Sequence, residues 1–254
     1  KADNKNSNDL NILVKKIFDF IKIGTEEIAI LFDDLPDNFI DLYGNKVFEG
    51  IAHAELVNTL SLILKRNIYV VPRIYANQLI PESQNYLIDY GKIINKNNIN
   101  FFSGEHIVSR IINKKYINKI SKIIPTKIVI WDNFYANDYC PRRLFLGPLI
   151  GRLEIDNLMI NLTGLIETDL LIIDIVKGTK NTSSPKIIWE KILKKHKIPD
   201  CFLNISKYFL NPDFGENPHL KKINVTNKQI QSLDYLLWNW KSPLSREWFP
   251  FLLG

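Results

Sequence analysis

Asp33 and Asp34 stand side by side where an apolar run, Ile28 to Phe32, ends. Two neighbouring carboxylates repel each other and cost stability, so their position asks for a use. Successive side chains on a strand point to opposite faces, and adjacent Asp residues share one site only where the strand ends and the backbone turns. Pro36, Asp37 and Asn38 mark such a turn. Close, partly buried carboxylates do not both ionise easily; one pKa rises and the pair titrates together. That suits a reaction needing a proton donor beside an anion. A turn or cap pair uses the same residues, so "FDD" alone does not decide.

A second dense stretch is "IVIWDNFYANDYCPRRLFLGPLIGR", residues 128–152. Its apolar strand runs into Trp131, Asp132, Asn133, Tyr135, Asn137, Asp138 and Tyr139. Aromatic faces beside amide and carboxylate groups suit a carbohydrate: the ring C–H face packs on Trp or Tyr while hydroxyls need polar partners. A loop capped by Asn and Asp, with Trp131 in the core, reads equally well.

These groups need a scaffold. Residues 8–23 carry helical periodicity, with Asn8 or Asp9 as a possible cap. Strand-like segments follow at "EIAILF", "NIYVVPRIY", "NINFFSG", "KIVIWDN" and "LMINLTG", separated by helical patterns at 47–65, 83–95, 105–121 and 166–177. Short apolar strands alternating with helices predict a parallel α/β sheet. In such folds chemistry gathers at the C-terminal strand ends. Those ends carry Asp33 and Asp34, Tyr75, Ser103 and Gly104, Trp131 to Asn133, and Thr163 with Gly164. In residues 229–254 the helical spacing and three Trp read as core packing rather than a partner surface.

The chain has 254 residues, 46% hydrophobic and 24% charged, which fits a globular protein with a sizeable core. No apolar run reaches the roughly 20 residues of a membrane span. Residue 1 is Lys, so the absence of a leader says little. Cys140 and Cys201 form no framework or CxxC site and read as free thiols. A cytoplasmic location is slightly favoured over a secreted one. The net charge of +6 permits nucleic acid. No nucleic-acid motif supports it, and clusters such as "KKHK" read as solvated helix faces. The four His lack ligand spacing, and of four glycosylation sequons Asn161 falls inside an expected strand.

The segments "AILFDDL", "AHAELVN", "VVPRIY", "FFSGEHIVS", "IVIWDNFYANDYCPRRLFLGPLIGR" and "NLTG" resemble, in order and spacing, glycoside hydrolase family 84. That family holds the protein O-GlcNAcases and bacterial β-N-acetylglucosaminidases. The resemblance runs from about residue 8 to about residue 197. It implies a (β/α)8 TIM-type barrel and a retaining exo-hydrolase of terminal β-linked N-acetylglucosamine, with no cofactor and no metal. The implied nucleophile is the sugar's own 2-acetamido oxygen, outside the enzyme-carboxylate scheme. By position Asp33 matches the carboxylate that orients the acetamide N–H, and Asp34 the general acid and base. Tyr75 matches a tyrosine bonding the acetamido oxygen, Trp131 a wall of the acetamide pocket and Asn133 an asparagine near it. Asp138 matches the carboxylate gripping the 4- and 6-hydroxyls; Asn137 lies beside it without a firm role. The implied partner is a GlcNAc-bearing glycoprotein or glycan, not nucleic acid.

Two departures accompany the resemblance. The family's Asp pair follows its fourth strand, so the first three strands, with a glycine and a lysine that contact sugar, are expected to be missing here. Gly164 stands where the family has a sugar-contacting asparagine, and Asn161 is expected to be a poor substitute. Residues 1–178 are expected to form the partial barrel and 179–254 a helical extension. The alternatives are a noncatalytic GlcNAc-binding relative and, with less support, a basic nucleic-acid-binding module.

Overall fold

The computed structural model describes residues 4–35, 48–82, 85–180, 184–211 and 224–253. The expected turn at Pro36, Asp37 and Asn38 and the sequon at Asn181 lie outside these residues. The chain alternates helix and strand: α1 (Asn4–Lys22), β1 (Ala29–Leu31), α2 (Glu49–Leu64), β2 (Tyr69–Val71), α3 (Tyr86–Ile93), β3 (Ile99–Phe102), α4 (Lys114–Ser121), β4 (Lys127–Asp132), β5 (Leu158–Ile160) and α5 (Ile166–Thr179). Then come α6 (Pro185–Lys195), two short 3-10 turns, α7 (Asn227–Asp234), a π turn at Tyr235–Asn239 and α8 (Pro243–Leu253). The five strands follow one another in the sheet, and β1–β2, β2–β3 and β4–β5 pair in parallel. The α/β class read from the sequence is thus observed, in the strand sequence of a barrel arc.

The chain divides into two compact units, residues 1–102 with 117–129 and residues 103–116 with 130–254. In the first, Ala29, Ile30 and Leu31 pair with Tyr69, Val70 and Val71. Phe32 N–H extends that ladder by donating to Val71 C=O at 2.9 Å, so pairing reaches the residue before Asp33. On α2, Ala54, Val57, Leu60 and Leu64 are buried at helical spacing. Gly50 lets α2 lie against α3: a Cβ there would sit 2.3 Å from Tyr86 C=O. The buried amides of Asn98 and Asn100 are satisfied by Ile68 N–H and by Tyr90 and Thr126 hydroxyls.

In the second unit one core collects Phe134, Leu171, Ile172, Ile175, Trp189, Phe202, Trp240 and Trp248. Its C-terminal helix caps α5: Glu247 accepts the N–H groups of Glu167 and Thr168 and the Thr168 hydroxyl. Trp248 Nε1–H donates to the same hydroxyl at 3.0 Å. Trp240 and Trp248 are core, as expected, whereas Trp238 is 59% exposed and packs edgewise on Phe249.

Two helix boundaries differ from expectation. Helix α1 begins at Asn4, so Asn8 and Asp9 are interior residues on its exposed side rather than caps. The helix expected over 105–121 is confined to Lys114–Ser121. The carbonyls of Ile107, Ser109 and Arg110 are taken by side chains from elsewhere, and Ile112 N–H donates to Gly151 C=O. Those long-range bonds replace the i to i−4 ladder a helix would have needed.

Candidate active site

Within the first unit, Asp33 and Asp34 occupy the turn that follows β1 directly. Asp33 is half-buried and Asp34 exposed. Burial pushes the Asp33 carboxyl above its ordinary value, its own backbone amide draws it back, and the charge of Asp34 adds to the rise. The two acids thus differ in burial. No ion pair holds either residue among the described residues.

Beneath the pair lies a polar network the sequence did not announce. The Phe32 ring stacks on His53, centroids 4.1 Å apart and 6° from parallel. His53 Nδ1 lies 2.9 Å from Tyr86 hydroxyl oxygen, which also accepts Arg73 N–H at 3.1 Å. The Arg73 guanidinium forms a two-point ion pair with Glu49. Phe32 and Arg73 belong to paired strand ends, and Tyr75 follows Arg73 by two residues. The network thus ties the backbone before Asp33 to the backbone before Tyr75, which is itself half-buried. Burial holds His53 down to about 4, with Arg73 lowering it further and Glu49 opposing.

In the second unit, Trp131 is half-buried in β4, opposite Met159 of β5. Asn133 comes just after β4; its Nδ2–H donates to Ile107 C=O at 2.9 Å. Its Oδ1 accepts Asn161 Nδ2–H at 3.3 Å. Asn161 lies just beyond β5 rather than inside it, and its own N–H donates to Asp132 C=O at 2.9 Å. It is thus a partner of Asn133, which spacing alone did not suggest. Asn137 Nδ2–H donates to Arg143 C=O at 2.9 Å and closes the loop. Asp138 is exposed, and its Oδ1 accepts Tyr139 N–H at 3.0 Å, a turn-type contact. Gly164 has φ of +78° and its N–H donates to Asp169, so this position shapes the entry to α5.

Asp132 differs from the other strand-end acids. It and Arg152 are both buried, and Arg152 Nε and Nη2 donate to its two oxygens at 2.8 and 2.7 Å. The remaining guanidinium N–H groups go to the carbonyls of Ser109, Arg110 and Ile150, which uses all five donors. The guanidinium also lies 4.9 Å from the Phe134 ring centroid. This clamp fixes segment 105–113 and with it the carbonyl that orients Asn133. Twenty residues separate the partners, and no local pattern announces such a pair. Among the described residues no group of three or more His, Cys, Asp or Glu could hold a metal ion.

The chain is similar to known proteins. A model of the beta-N-acetylglucosaminidase family matches residues 2–166, a span that takes in all seven candidate residues. Protein O-GlcNAcase of Rattus norvegicus is 32% identical over 154 residues, covering 58% of this chain and 17% of its own length. The Mus musculus protein of the same name is 32% identical over 155 residues, with the same shares. The chain thus spans about a sixth of these curated relatives. A mutant of the Thermobaculum terrenum O-GlcNAc hydrolase superposes with a TM-score of 0.73 at 20% identity, covering 97% of this chain and 62% of its own. That likeness speaks to the fold.

Proposed function

We propose that this chain, which belongs to the β-N-acetylglucosaminidase family, carries the acid–base pair and acetamide contacts of a retaining hydrolase. Its substrate would be terminal β-linked N-acetylglucosamine, on O-GlcNAc-modified protein above all, as the names of the rat and mouse relatives suggest. The observation that carries the reading is the Asp33–Asp34 pair at the C-terminal end of β1, with burial raising one carboxyl beside an exposed partner.

In the first step the acetamido carbonyl oxygen attacks C1 and the bond to the leaving oxygen breaks. Asp34 gives its proton to that oxygen. Asp33 accepts the acetamide N–H as positive charge develops there. A carboxylate made more basic by burial is the better acceptor for this role. The product of the step is an oxazoline in its N-protonated form, with that N–H held by Asp33. In the second step Asp34, now a carboxylate, takes a proton from water as the water attacks C1. The ring opens, and two inversions leave the β configuration. The exposure of Asp34 gives it access to water for this exchange. Tyr75 would donate to the acetamido oxygen, Trp131 wall the methyl group and Asn133 hold the amide. Asp138 would accept the 4- and 6-hydroxyls, with Asn137 keeping its loop in place.

Substrates with contrasting leaving groups, assayed on the intact protein, test the assignment. Asp34→Asn should slow an alkyl β-GlcNAc by about 10²–10⁴-fold and an activated aryl β-GlcNAc far less, since only the former needs protonation. Asp33→Asn should slow both. Equal losses on both substrates for Asp34→Asn would remove it from the acid role. Absence of aryl β-GlcNAc hydrolysis by the wild type would leave a sugar-binding relative.

A further inference from the structure

Away from the candidate residues, the second unit holds a cleft of about 390 Å³. It opens between the loop at Gly147–Ile150, the start of α6 and segment 206–211. Phe134, Pro148, Trp189 and Leu210 give it apolar walls. Trp189 is oriented by donation of its Nε1–H to Leu146 C=O. At the rim stand Arg110, Lys186 and Lys207, all exposed, and no lining residue is acidic. The backbone of Arg110 is fixed from below by the Arg152 clamp. Three cations around a low-dielectric floor focus a positive potential into one concave spot.

The second observation is Asn211, which lines the cleft and is 8% exposed. Its Nδ2–H donates to Phe134 C=O, which sets the orientation of the amide. Its Oδ1 is buried and has no hydrogen-bond partner among the described residues. A buried acceptor without a donor is costly to keep, and native structures hold few of them. The cleft therefore offers an apolar pocket, a ring of positive charge and, in its wall, a buried acceptor that a seated N–H donor would reach by opening that wall. A peptide backbone supplies the N–H, an apolar side chain the filling, and flanking carboxylates the countercharge.

We propose that this cleft binds a short acidic segment of a partner protein, with a backbone N–H on Asn211 Oδ1. An apolar side chain lies between Phe134, Trp189 and Leu210, and carboxylates meet Arg110, Lys186 and Lys207. The volume suits one anchor side chain and its neighbours, near the lower end of ligand-pocket sizes. A nucleic acid fits less well. It calls for an extended basic track with successive stacking faces, whereas the cations here ring one spot. The site uses none of the sugar-contacting residues and stands independently of the hydrolase reading.

The test uses a fluorescein-labelled nonapeptide, Glu-rich with a central Leu, titrated into the intact protein and followed by anisotropy. Saturable binding is expected. The paired variant Lys186→Glu with Lys207→Glu should weaken it at least tenfold and flatten its salt dependence. Lys114→Glu with Lys115→Glu on α4 makes the same change in net charge elsewhere and should leave binding within twofold. All four lysines are exposed, and circular dichroism checks that the variants fold. Asp34→Asn should leave peptide binding unchanged, so a failure of the catalytic reading is told apart from a failure here. Equal weakening by both lysine pairs, or no saturable binding, overturns the proposal. So does a single-stranded RNA 12-mer that binds more tightly than the peptide through Lys186 and Lys207.

Discussion

His53 should make stability depend on pH in a way one substitution abolishes. The ring is 6% exposed, stacked on Phe32 and bonded to Tyr86, and burial is the main reason its pKa falls from 6.5 to about 4. Glu49 and Arg73 are the charges acting on it, and they oppose each other. Between those two pH values the unfolded chain binds a proton that the native state refuses. Stability is therefore fully present above pH 6.5 and is lost as pH falls towards 4. Integrating from pH 7.5 to 4.5 gives a loss of about 2.5 kcal/mol from this one group.

His53→Phe keeps a flat ring against Phe32 but cannot take the proton. At pH 7.5 it should be less stable by about 1 kcal/mol, the net worth of a typical hydrogen bond. At pH 4.5 the order should reverse. Urea unfolding followed by far-UV circular dichroism at both pH values measures the difference, with the denaturant slope checked for constancy. Asp33 titrates with the opposite sign: its raised pKa favours the native state as pH falls. It is present in both proteins and cancels in the comparison. If wild type and variant lose the same stability between the two pH values, His53 is not held neutral by its surroundings, and the network under the Asp pair has been misread.

Arg152→Leu should destabilise by about 3–5 kcal/mol, because it leaves the Asp132 carboxylate buried and unpaired. Adding Asp132→Leu should recover part of that loss; a double variant as unstable as the sum of the singles would show that the charge pair is not the source. Asp138→Asn retains an oxygen for Tyr139 N–H, so melting should stay put while kcat/KM falls by about 10- to 100-fold with loss of preference for the gluco over the galacto epimer. Unchanged activity and preference would make Asp138 a turn residue only.

What was legible in the sequence was what local pattern encodes. The strands could be read because each is a short apolar run ending in polar residues, and all five lie in the observed sheet. The place of the Asp pair could be read because the two acids close an apolar run, although a turn or cap pair would use the same residues. The extent of the fourth helix could not. Whether residues 105–113 coil depends on carbonyls that Arg152 and Asn133 claim from far along the chain. Asn161, expected inside the fifth strand, lies just past its end, and its contact with Asn133 could not be read because it is an amide bond across neighbouring strand ends. Trp238 and Trp240 are near-identical in local sequence, yet only Trp240 is buried. Trp238 lies inside the π turn at Tyr235–Asn239 and Trp240 just after it, and helical spacing does not foretell that turn.

The acids at the ends of β1 and β4 show how partners divide structure from chemistry. Asp132, like Asp33, is an acid closing an apolar strand, and it stands beside aromatics and amides. It is more deeply buried than either member of the pair, and a buried carboxylate survives only with full compensation. Arg152 provides that compensation, so Asp132 has neither an oxygen to spare nor access to solvent. Asp33 and Asp34 carry the reverse arrangement. Each keeps some exposure, no described cation neutralises them, and the repulsion between them is left in place. Uncompensated repulsion costs stability, and among the described residues no ion pair offsets it, while Arg73 is paired with Glu49.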